Sequence, residues 1–266
     1  MPTNALSTTA RACRVVVAIG IAPAMAWAQG APAGGDGSGI DWVSIDGFEI
    51  ARTETTVGQF RRFVRATGTV TRAERAGGGE VYEQGWVRRA GWVWSAPFGR
   101  AGADDEPAVH VDFDEATSFC RWAGGRLPTD DEWVRAGYVE HRKTPPPGFE
   151  RGRRYPYPLG DSPAGAQCLD DCGPEARLRA VVHGAALTRG VGHARVSDTP
   201  VGVNGLKDMG GNVWEWVDHP PGAVGNDARR TRGGSWWYGA APMRAGHLQS
   251  KAADTAVVYL GFRCAR

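Results

Sequence analysis

Two long runs of this chain, 72–108 and 141–200, show neither the alternation of strands nor the 3.6-residue period of helices. Glycine and proline punctuate both, as in GGGEVYEQGWVRRAGWVWSAPFG and the PPP run. Loops of that length are uncommon in ordinary α/β domains. The chain therefore points to an irregular, loop-rich fold held by aromatic packing, disulfides or ions. Its 11 tryptophans supply the first of these, and Trp86, Trp92 and Trp94 are expected to plug an edge of the core.

The N-terminus reads as a secretory signal peptide over 1–28. Arg11 and Arg14 form a charged start, Val15 to Ala24 is apolar, and Ala26-Trp27-Ala28 is a small-x-small cleavage site before Gln29. The apolar stretch is short for a span and broken by Pro23, so no stable membrane anchor is expected after cleavage. Residues 29–40 read as a flexible leader and 41–266 as one domain. Cleavage removes two arginines and no acid, which leaves 29 basic against 29 acidic residues. That balance gives no support for a nucleic-acid binder. Four cysteines remain, and in a secreted or periplasmic chain two disulfides are the default.

Local signals place a few elements. The segment from Asp41, DWVSIDGFEIARTETT, reads as a hairpin. A helix capped by Thr55 or Thr56 buries Val57, Phe60, Phe63 and Val64 and stops at Gly68. A second runs from Phe113 to about Ala123 behind an Asp112/Glu115 capping-box spacing. A third, short one follows Thr129 and Glu132, with Trp133 and Ala136 facing inward.

Chemistry can be sought in few places. In LKDMGGNVWEW, Asp208 and Glu215 flank a glycine turn able to aim carbonyls and carboxylates at one hard cation such as Ca²⁺. Read from spacing alone, both acids could equally be solvated turn residues. The six histidines form no zinc-binding pair. Cys168-x-x-x-Cys172 has no second cysteine pair to complete a zinc knuckle and reads as a local disulfide. The basic run HRKTPPPGFERGRRYPY reads as a solvated loop.

In order along the chain stand FEIARTETTVGQFRRFVRATG, PAVHVDFDEATSFCRWAGGRLPTDDEW, YPYPLGD, GLKDMGGNVWEW, RGGSW and LGFRCA. This succession resembles the formylglycine-generating-enzyme, or sulfatase-modifying factor, domain across about 41–266. The resemblance implies an α+β, C-type-lectin-related fold low in regular structure. It implies a structural calcium loop of Asp208 and Glu215 side chains with the Gly211 and Val213 carbonyls. It also implies a Cys120–Cys264 disulfide, leaving Cys168 with Cys172. A second family calcium site belongs within 166–185, where the Cys168/Cys172 loop departs from the pattern.

The resemblance also locates a pocket, with Trp214 and Ser235 retained and Trp236, Trp237, Tyr238 and Arg244 beside them. Formylglycine-generating enzymes hold copper with two cysteines after GGS; here Tyr238 and a position near Met243 stand in their places. A phenol cannot replace a thiolate on Cu(I), so copper-thiolate formylglycine formation is not expected. No complete ligand set for another redox metal is visible. The architecture resembles the secreted pyoverdine-maturation branch, which implies oxidative tailoring of a peptide substrate. His247 is then the expected proton-transfer residue, with Tyr238 beside it as the second candidate catalytic residue. The competing expectation is a non-catalytic, calcium-stabilised module that binds a peptide, glycan or protein on the same aromatic floor.

Overall fold

A computed structural model describes residues 1–2, 37–181, 187, 191–219 and 227–266. The expected signal peptide and nearly all of the leader lie outside these residues. Strands β1 (Trp42–Ile45) and β2 (Phe48–Ala51) pair antiparallel about an Asp46-Gly47 turn. Packing begins a little earlier than expected: Ser38 is buried, and the Gly39 carbonyl accepts from Gln59 Nε2 at 3.0 Å.

Three capping boxes start the three longer helices. Helix α1 (Val57–Thr67) is closed by Thr56 and Gln59 and ends on left-handed Gly68. A short α2 (Arg72–Arg75) follows, then a hairpin of β3 (Glu80–Tyr82) and β4 (Trp86–Arg88). Asp112 with Glu115 opens α3 (Phe113–Trp122), and Thr129 with Glu132 opens α4 (Asp130–Tyr138). Each box satisfies amides that a helix start leaves without partners. Helix α5 (Glu175–Arg179) is the one helix described within 141–200.

The central sheet is built from β5 (Trp214–Val217), β6 (Ala228–Arg232), β7 (Gln249–Ala252) and β8 (Leu260–Phe262) in the order β7-β6-β5-β8. Only β5 and β8 run parallel. Because side chains alternate along a strand, WEWV on β5 serves two interiors. Trp214 and Trp216 join the main core with Phe60, Phe119 and Phe262. Glu215 and Val217 turn the other way, where Val217 packs with Ile50, Trp133 and Leu206. Phe60 and Phe119 stack at 5.7 Å between α1 and α3, and Phe119 meets Phe262 edge-on at 5.4 Å.

Cys120 on α3 is bonded to Cys264 just after β8, and Cys168 to Cys172, the pairing the resemblance implies. The first bridge spans 144 positions, for which the chain-entropy model gives about 5 kcal/mol.

Two expectations need correction. Trp92 and Trp94 are buried, but Trp86 is 58% exposed on β4, its ring edge-on to Tyr82 at 5.4 Å. A two-stranded hairpin has no second layer to bury both its faces, so this aromatic pair stays outside the core. The basic run is not simply solvated either. Arg142 binds buried Glu140 at 2.6 and 2.8 Å, and Arg153 lies 4.6 Å over the Tyr155 ring.

Candidate functional site

The turn before β5 is forced into shape by its backbone. Asp208, Gly211 and Asn212 have φ of 58°, 86° and 50°. A Cβ at Gly211 would stand 2.6 Å from the Gln167 carbonyl oxygen, so only glycine fits there. The Asn212 side chain donates to Glu54 Oε2 at 2.6 Å and accepts from the Ala194 amide at 2.8 Å; the Val213 amide donates to Glu54 Oε1.

Three buried carboxylates, Glu54, Asp208 and Glu215, lie within electrostatic reach of the Arg263 guanidinium, which hydrogen-bonds Glu215 alone of the three. Arg263 donates to both Glu215 oxygens at 2.7 Å and to the carbonyls of Ala51, Arg52 and Lys207. Trp133 Nε1 adds a third bond to Glu215, also at 2.7 Å. Burial pushes Glu54 well above the usual carboxylate range, with Asp208 and Glu215 pushing the same way. Burial likewise raises Asp208 to about 7. Asp208 Oδ2 has no hydrogen-bond partner and borders a cavity of about 10 Å³ beside Thr199, Leu206 and Met209. That is room for about one water-sized particle. An unpartnered buried acid oxygen and an excess of negative charge fit a hard cation. Glu215, by contrast, already has both oxygens engaged. Among the described residues no three His, Cys, Asp or Glu side chains converge as a metal cluster, in 166–185 or elsewhere.

The second assembly lies on the opposite face of β5. The Trp214 ring meets Tyr238 edge-on at 5.8 Å and His247 at 5.8 Å, tilted by 35°. Lys251 Nζ stands 4.8 Å over the same ring, with Gln249 Oε1 at 2.8 Å. His247 also lines an open cleft of about 720 Å³ with Arg154, Tyr155, Ala241, Arg244 and Gly246. Burial, then Arg232, then Lys251 hold the His247 imidazolium below its usual pKa, so the ring is neutral and able to accept a proton near pH 7. Burial alone lowers Lys251 to about 8. His247 Nε2 is buried without a hydrogen-bond partner.

The backbone carrying His247 is tied to α4. Arg232 donates to the Ala245 and His247 carbonyls at 2.9 and 2.7 Å, while Asp130 accepts from Arg232 Nε and Nη2 at 2.5 and 2.8 Å. On the other side, the Leu169 amide donates to the Tyr238 carbonyl at 2.9 Å, so the Cys168–Cys172 loop braces the aromatic segment.

A sulfatase-modifying factor enzyme 1-like domain matches residues 24–266. The chain belongs to this family. It is 32% identical to the formylglycine-generating enzyme of Streptomyces coelicolor over 90% of this chain and 84% of that one. It is 30% identical to the hercynine oxygenase of Mycolicibacterium thermoresistibile over 76% of this chain and 47% of that one. The structure of PvdO from Pseudomonas aeruginosa superposes with a TM-score of 0.52 at 19% identity, covering 82% of this chain and 80% of that one. That likeness supports the loop-rich α+β fold.

Within the sulfatase-modifying factor frame, the sequence-predicted pocket divides. Tyr238 and His247 pack on Trp214, Arg244 and His247 line the cleft, and His247 alone belongs to both groups. Ser235, Trp236 and Trp237 lie inside the core instead of on the pocket wall, with exposures of 0%, 0% and 2%. Trp237 stacks on Tyr259 at 5.6 Å, and Trp236 packs on Phe98. The cause is the turn at 235–238, where the Tyr238 amide bonds back to the Ser235 carbonyl and turns both indoles inward. Met243 is buried and its carbonyl accepts from Tyr138 Oη at 2.5 Å. A phenol at 238 and a buried thioether at 243 do not fit a copper-thiolate pair. Sequence reasoning missed Glu54, Arg263, Arg154, Lys251 and the Asp130–Arg232 tie. Arg232 and Arg263 do stand in the RGGSW and GFR motifs; Lys251 has no such signal.

Proposed function

We propose that this chain is a secreted or periplasmic enzyme that tailors a peptide by oxidation, maturation of a siderophore peptide chromophore being the fitting example. The observation that carries the reading is the grouping of Tyr238, His247 and Lys251 around one buried indole, Trp214, with His247 also lining a cleft of about 720 Å³. Clefts of this size suit small ligands and short peptide segments. An aromatic substrate residue would lie beside Trp214, Tyr238 and His247, since rings supply rigid contact area. His247 would take the proton, and Arg232 would hold its backbone in place. The substrate loses two electrons and two protons, and dioxygen accepts them to leave as hydrogen peroxide. No step is assigned to copper, because the thiolates that would hold it are absent from positions 238 and 243.

Calcium at the 208–215 turn belongs to the same proposal. It is supported by the unpartnered Asp208 oxygen and the three carboxylates within electrostatic reach of Arg263. Asp208 and the Gly211 and Val213 carbonyls would hold the ion, with Glu215 alongside. Its chemistry there is structural: it offsets buried negative charge next to β5.

Incubating the purified protein with candidate secreted peptides, in air and under nitrogen, tests the reading by mass spectrometry. A loss of two hydrogens in air alone is expected, reduced in His247→Ala. Saturable binding with identical masses in air and nitrogen would sink the enzyme reading and leave a binding module.

A further inference from the structure

The cleft beside His247 is lined by cations and by no acid. Arg154 and Arg244 line it, and neither has an ion pair among the described residues. Arg244 lies 4.6 Å over the Tyr157 ring, a stacking that fixes the guanidinium plane and leaves its N–H edge to donate. Behind His247, Lys251 has only an amide oxygen and the Trp214 face for company. The carboxylate that reaches this end of the sheet, Asp130, is already engaged by Arg230 and Arg232. Surface arginines usually find acids or open water; here two of them line one concave wall.

We infer that the cleft selects an anionic peptide, gripping a substrate carboxylate with Arg244 and Arg154 while an aromatic neighbour of that carboxylate sits toward Trp214 and His247. The fork of a guanidinium matches a planar carboxylate, and charge-assisted bonds of this kind are about twice as strong as neutral ones. The carboxylate can come from an acidic side chain or from a peptide C-terminus. This inference rests on the peptide-tailoring reading for the identity of the ligand and sharpens it to a charge class.

The test is calorimetric titration of the full chain with blocked Ala-Tyr-Glu-Ala, its Gln and Lys versions, and Ala-Tyr-Gln-Ala with a free C-terminus. The Glu or the free-acid peptide is expected to bind roughly tenfold more tightly than the blocked Gln peptide. Whichever acid gains identifies the source of the carboxylate. Arg244→Ala should erase the preference and Arg244→Lys keep part of it, with unfolding temperatures unchanged because the side chain is exposed. Equal binding of the blocked Glu, blocked Gln and free-acid peptides, tightest binding of the Lys peptide, no binding by any, or a preference that survives Arg154→Ala/Arg244→Ala would overturn the inference. Mass analysis of the same mixtures separates it from the tailoring reading. A neutral peptide oxidised without any gain from the acid leaves that reading standing and removes this one; an acid preference with no mass change does the reverse.

Discussion

At the 208–215 turn, Arg263 pairs with Glu215 and lies within electrostatic reach of Glu54 and Asp208, and all four side chains are buried. Arg154, Arg244 and His247 line the cleft with no carboxylate among its described lining residues, and Lys251 stands behind them over the Trp214 ring. The two groups lie on opposite faces of β5, because Glu215 and Trp214 are neighbours on one strand. Surplus charge means something different in each place. Inside, an unmatched acid raises its own pKa or recruits a cation. At an open cleft, unmatched bases cost little and attract an anion. On the function proposed above, one face of the strand is scaffold, and the other is where a substrate would meet the protein.

The comparison is broken most severely from the scaffold side. Arg263→Met removes the only guanidinium among three buried carboxylates, and a loss of about 3–5 kcal/mol is expected, enough to prevent folding at 37 °C. Denaturant unfolding or soluble yield checks it; a stable Arg263→Met protein would mean that the carboxylates are protonated and need no partner. Cys120→Ser/Cys264→Ser should cost up to about 5 kcal/mol by the same assay. Removing calcium comes next. An ion held at a hundred times its dissociation constant contributes about 2.7 kcal/mol, so chelation should lower Tm by several degrees. Asp208→Asn should shrink that response. A Tm indifferent to chelator would strip the turn of its ion.

The cleft side should yield smaller effects on stability and sharper ones on chemistry. The chain has only three lysines, Lys143, Lys207 and Lys251. With its pKa lowered to about 8 by burial, Lys251 should acylate with an inflection near pH 8. Peptide mapping after timed labelling from pH 7 to 10 reads this directly. Folded Lys251 releases its proton before unfolded lysine does, so its charged form opposes folding below pH 8. That opposition fades as pH rises through 8 toward the unfolded value, and Lys251→Met should flatten the rise.

Capping boxes made α3 and α4 legible, since Asp112/Glu115 and Thr129/Glu132 are signals only four residues long, and a threonine cap with apolar residues at helical spacing did so for α1. The β3–β4 hairpin was not legible, because its Gly-rich flanks hide a strand period and its aromatic pair is exposed. Family motifs located Tyr238, Arg244 and His247, whose geometry depends on one short stretch of chain. They could not distinguish wall from core at Trp236 and Trp237, where a single turn sets the direction of both rings. Lys251 escaped because its contact with Trp214 crosses the sheet. Arg154 escaped because a basic loop read alone looks solvated, and only its fold beside 241–247 gives it a cleft to line.

The division between scaffold and working cleft is tested most directly by one variant measured twice. His247→Ala should unfold within about 2 °C of the parent, as a half-exposed residue outside the core does. Its conversion of a peptide that the parent oxidises in air should fall at least about tenfold, the contribution of a positioned proton acceptor being of order a hundredfold or more. Unchanged conversion, or a fall matched by an equal loss of folded protein, would contradict the account.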